Sequence, residues 1–137
     1  MKRSLFAFIA AFIVIFVFEF LWHGMLMKSA YMEVPALWRP EADFGTYFLL
    51  LLLGQAVIAF VFVGIYCRGF SGSGVPGGVR LGIMLAFLCI GGHLIQFAVQ
   101  PLTTKILGMW FVGGLIEFSI VGAIVGAIYK PGSNTTT

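Results

Sequence analysis

"MKRSLFAFIAAFIVIFVFEFLWHGMLM", residues 1–27, is the stretch whose reading decides the fold. A basic front followed by an apolar run is either a cleaved secretory signal or a membrane-spanning helix. The apolar character continues to about Met27, and no A-x-A-like cleavage site follows it. The stretch therefore reads as a first membrane helix, over about residues 4–27. Near its far end, "FEFLWHG" (residues 18–24) places Glu19 and His23 one helical turn apart and so on one face.

The rest of the chain has the same character. Its 137 residues are 61% hydrophobic and 9% charged, and the mean hydropathy is +1.07. These values lie far from those of a soluble domain. A bilayer core of about 30 Å takes roughly 20 apolar residues per helix. Further spans are expected over about residues 44–67, 81–100 (ending at Pro101) and 106–129. The four fill residues 1–130 as a single transmembrane domain and leave no room for a soluble one. Between the first two, "KSAYMEVPALWRPEAD" holds helix-breaking Pro35 and Pro40, with Tyr31 and Trp38 suited to a headgroup interface. "RGFSGSGVPGGVR" reads as a flexible turn, and the tail over 131–137 as disordered.

The basic residues stand at the ends of the apolar runs and form no single patch, so they read as topological anchors and not as a nucleic-acid surface. Lys2, Arg3, Arg68, Arg80 and Lys130 fall on one side, against Lys28, Arg39 and Lys105 on the other. By the positive-inside rule both termini are cytoplasmic. Cys67 and Cys89 fall at different depths, so no disulfide is expected. "VGIYCRG" and "GAIYKPG" close the second and fourth spans, and the first and third each hold one histidine. That pattern hints at two parallel helical hairpins related by an axis along the membrane normal.

The intramembrane polar residues are the candidate site. On the third span Cys89, His93, Gln96 and Gln100 share a stripe, and the fourth carries Glu117 with Gly113 and Gly114 one turn before it. A rise of about 1.5 Å per residue puts Glu19 roughly 21 Å above the cytoplasmic edge, His23 27 Å, His93 18 Å and Glu117 14 Å. That count pairs Glu19 with His93 by hydrogen bond and offers Gln55 to Glu117. A charge in mid-bilayer costs at least about 2.5 to 3.5 kcal/mol, so such groups are paired, protonated or in contact with water. Polar hydrogen bonds between helices that only hold a bundle together explain each residue as well. Gly78 and Gly82, like Gly122 and Gly126, form small-xxx-small patterns for close helix contact.

A bis-histidine haem would need His23 and His93 on one iron, yet their counted depths differ by about 9 Å. A zinc site would need three or four ligands at one level. Neither haem nor metal is therefore expected. No phosphate loop, nucleophile elbow, CxxC or HExxH is present, so no enzyme chemistry is indicated.

At "HG", "ALWRPEAD", "GQ", "IYCRG" and "IQFAVQP" the chain resembles a class of small uncharacterised bacterial inner-membrane proteins with four helices. The resemblance spans roughly residues 20–131. It implies the four-helix fold and a bacterial inner membrane, and no activity. The expectation is an all-α integral membrane four-helix bundle without enzyme activity, an accessory or assembly component holding a Glu/His/Gln cluster. Its partners would be the lipid bilayer and a membrane protein or further copies of itself. The alternative is a small proton- or cation-coupled transporter or channel-like protein acting as an oligomer.

Overall fold

The computed structural model of the chain describes residues 2–129; Lys130 and the 131–137 tail lie outside them. Among the described residues the structure is 88% helix without strands. Helix α1 spans Lys2–Glu19 and continues as a wider-wound π-helix over Phe20–Leu26. The short α2 covers Lys28–Tyr31. Then follow α3 (Phe44–Ile65), with a π-helical end over Tyr66–Phe70, α4 (Gly74–Val99) and α5 (Thr104–Ile128). The four long helices have the length and hydropathy to cross a membrane.

Helix ends follow local chemistry. Thr103 caps α5, its Oγ1 accepting from the Ile106 amide at 3.3 Å. Pro101 stops α4 just beyond its C-cap, Gln100. The start of α4 departs from the sequence expectation: the helix begins at Gly74, not near Leu81. Pro76 lies in its first turn, where the missing N–H is no loss. Gly72, at φ +90°, makes the reversal that precedes it.

Gly74 and Gly78, in the segment that reads as a flexible turn, belong to a helix and to its packing surface. A Cβ on Gly78 would collide with the Gly122 carbonyl, one on Gly82 with the Phe118 carbonyl, and one on Gly126 with the Gly74 carbonyl. Backbone thus meets backbone along α4 and α5, which form the most intimate helix pair. Helix α1 packs on both α3 and α5, while α3 and α4 scarcely touch along their lengths.

Two apolar cores result. One joins Ala7, Ala11 and Ile15 of α1 to Ala59 and Phe62 of α3, Leu81 and Ala86 of α4, and Phe118, Val121 and Val125 of α5. The other, at the opposite end, gathers Met27, Ala30, Leu102, Ile106 and Trp110. The candidate polar residues lie between them.

Candidate functional site

Helix α1 buries every fourth residue: Ala7, Ala11 and Ile15 are at most 2% exposed. Continuing that stripe gives Glu19 and then His23, so the face that packs the lower core delivers two ionisable groups above it. Both line a cavity of about 470 Å³. Helix α3 contributes Gln55 and Gly54, α4 contributes Cys89, His93 and Gln96, and α5 contributes Gly114 and Glu117. Ile15 and Phe118 form one end of the cavity, and Tyr31, Trp38 and Trp110 the other. The cavity lies where a closed bundle would have packed α3 against α4.

Tyr31 is the junction of the aromatic end. Its hydroxyl accepts from Trp110 Nε1 at 2.9 Å and is hydrogen-bonded to His23 Nδ1. Its carbonyl accepts from Trp38 Nε1 at 3.1 Å. With the Tyr31 O–H donating to Nδ1, the His23 ring proton sits on Nε2, which faces Glu19 Oε2 at 3.6 Å. The Glu19 carboxyl in turn lies against that of Glu117. A chain of polar groups, Tyr31–His23–Glu19–Glu117, therefore descends from the aromatic end towards the lower core. Glu117 is 6% exposed and Gln55 7%. The Gln55 Oε1 is buried without a hydrogen-bond partner among the described residues.

The hydrogen bond expected between Glu19 and His93 is not made. His93 instead sets its ring against Trp110, centroids 4.9 Å apart. The depth count failed because it started α4 at Leu81. Counted from Gly74, His93 is about 28 Å along its helix, level with His23 and a turn beyond Glu19. The 9 Å offset between the histidines disappears with that correction. Haem gains nothing from it, because Tyr31 and Glu19 engage the two ring nitrogens of His23. Among the described residues no three His, Cys, Asp or Glu side chains gather as a metal-holding group.

The other candidates divide. Gln96 donates from Nε2 to Gln100 Oε1 at 3.1 Å along α4, and only Gln96 reaches the cavity. Gly113 faces the Trp22 indole, which would be struck by any Cβ there, whereas Gly114 has open space and faces the cavity. Cys67 and Cys89 are free thiols. Sequence reasoning missed Trp110, and it read Tyr31 and Trp38 as suited to a headgroup interface without bringing them to the site, whose cavity all three line. The signal for Trp110 was present: Trp110, Gly114 and Glu117 stand at i, i+4 and i+7, on one helix face.

No family model, curated protein or solved structure matches the chain.

Proposed function

We propose that the chain is a multi-pass protein of the bacterial inner membrane that binds a cation in exchange for a proton at the Glu19–Glu117 pair. Embedding accounts for the surface: Leu49, Phe60, Leu88 and Ile95 are each at least 70% exposed, which lipid tolerates and water does not. The observation that carries the function is the meeting of two carboxyls from different helices, Glu19 and Glu117, in the wall of one cavity. Side by side in a low-dielectric site, two negative charges repel strongly, and one positive charge between them relieves that repulsion. A proton and a small cation then compete for one place. The Tyr31–His23 chain leads from that place to the aromatic end. Two or more copies side by side would complete a path across the bilayer.

Infrared difference spectroscopy of the reconstituted protein tests this reading. Acidification should raise a protonated-carboxyl C=O band that is lost in both Glu19→Gln and Glu117→Gln. Adding sodium, potassium or an alkylammonium chloride should diminish the band. A band indifferent to every cation would refute the exchange.

The accessory reading keeps one specific support. Gly54 of α3 and Gly91 and Gly92 of α4 have open space where a Cβ would stand, on helices that scarcely touch each other. A helix of a partner protein fits such a seam. Native electrophoresis of the endogenous protein, with mass-spectrometric identification of what migrates with it, separates a larger assembly from a lone oligomer.

A further inference from the structure

We infer that the cavity's cation is a small protonated amine bearing an apolar group, an inference that rests on the exchange reading above. Three features select it. First, the acceptors are the Glu19 and Glu117 carboxyls and the Oε1 of Gln55, a cavity-lining residue 7% exposed whose oxygen is buried with no donor among the described residues. An ammonium carries N–H donors for all three, whereas a quaternary ammonium would leave the Gln55 oxygen orphaned. Second, the opposite wall is aromatic and its planes are not parallel. The Trp38 and Trp110 rings meet edge to face at 78°, centroids 6.4 Å apart, and Tyr31 is tilted 58° to Trp38 at 4.6 Å. Such faces hold a cation and its apolar substituent at once. Third, about 470 Å³ is the size of a small-molecule site, which typically runs about 300–1,000 Å³. A bare metal ion would need oxygen ligands converging within about 2.6 Å, and no such group forms among the described residues.

The exchange balances in charge: one ammonium enters as one proton leaves the carboxyl pair, and the proton departs through His23 and Tyr31 or directly to water. His93, the other histidine of the cavity, lies against Trp110 and, among the described residues, forms no ion pair with a carboxyl.

The test uses the full chain in detergent, with phenethylammonium chloride as probe and tryptophan emission plus a pH-indicator dye as readouts. Saturable emission change with proton release is expected. The alcohol analogue should give neither, and tetramethylammonium should bind more weakly. Gln55→Leu should weaken phenethylammonium by about tenfold, the loss of one hydrogen bond to a charged group. An unchanged helical circular-dichroism spectrum and thermal midpoint of Gln55→Leu should accompany the loss and show that the change does not simply unfold the protein. Equal binding of the alcohol, or an unchanged affinity in Gln55→Leu, overturns the amine assignment. Glu117-dependent proton release on adding sodium with no response to phenethylammonium would overturn it while leaving the exchange reading intact. Silence towards every cation would remove both.

Discussion

Tyr31 shows how much one side chain can organise. Its hydroxyl holds Trp110 Nε1 and His23 Nδ1 together, and its ring abuts Trp38. Burial, with the negative Glu19 adding to it and the Trp110 hydrogen bond opposing it, pushes the phenol up to about 12 from its ordinary 10. A raised value means that the folded state favours the protonated phenol. The resulting stability is complete below pH 10 and is lost as pH rises from about 10 to about 12. Tyr31→Phe strips Trp110 of its acceptor, and a buried donor left unmet costs about 1–3 kcal/mol. Thermal unfolding in detergent should therefore show the variant less stable at pH 8, with the gap to the native chain narrowing above pH 10. A constant gap would assign the loss to something other than this hydroxyl. None of this was legible in the sequence. Periodicity places residues on helix faces, but it does not say that an irregular segment turns back over the bundle end, and a tyrosine near an apolar boundary reads first as an interface residue.

At the scale of the helices, the sequence was informative where composition changes sharply and silent where small residues serve two purposes. Four apolar runs bounded by polar segments announce themselves. The stripe that runs from Ala7 to His23 could also be read from spacing alone. The start of α4 could not. Glycine, serine and proline together signal a turn, yet residues 74–80 of that segment belong to a continuous helix, in which Gly78 and Gly82, spaced for close helix contact, lie against the carbonyls of Gly122 and Phe118. The π-helical widening over Phe20–Leu26 likewise left no trace in hydropathy. These shifts of register decided which polar groups met. The same contacts give a prediction. In lipid, helices gain little from burying apolar surface against each other, so close approach carries the association of α4 and α5. Gly122→Ala places a methyl on the Gly78 carbonyl and should destabilise by about 1–3 kcal/mol, the usual cost of overpacking. Gly91→Ala, with nothing near its added Cβ, should leave the midpoint of thermal unfolding unchanged or raised. Equal losses in both would show that helix backbone flexibility matters more than the contact.

For the whole molecule, side-chain bonds tie three helix ends into one. The Tyr66 and Tyr129 rings lie 5.6 Å apart. The Tyr129 hydroxyl donates to Ser4 Oγ at 2.7 Å and accepts from Cys67 Sγ at 2.9 Å. The paired "IY" endings of the second and fourth spans thus meet beside the start of α1. Their polar contacts differ, since Tyr66 donates to the Gly74 carbonyl at 3.0 Å. This end carries Lys2, Arg3, Arg68 and Arg80 with no acidic residue among them. At the other end the cations are engaged: Lys28 pairs with Glu41 at 3.2 Å, Lys105 with Glu33 at 2.7 Å, and Arg39 sits over the Tyr47 ring at 3.8 Å. Orientation in a membrane depends on the count of Lys and Arg in short loops and hardly on acidic neighbours. On that count, five against three, we propose that both termini are cytoplasmic. A carboxy-terminal green fluorescent protein should glow, and alkaline phosphatase fused at the same place should be inactive. Arg68→Ala with Arg80→Ala leaves three basic residues on each side. The doubly substituted chain should then insert in both orientations, with the fluorescent signal falling and the phosphatase signal appearing together. Retention of a single orientation would mean that the apolar first helix, and not the loop charges, sets the topology.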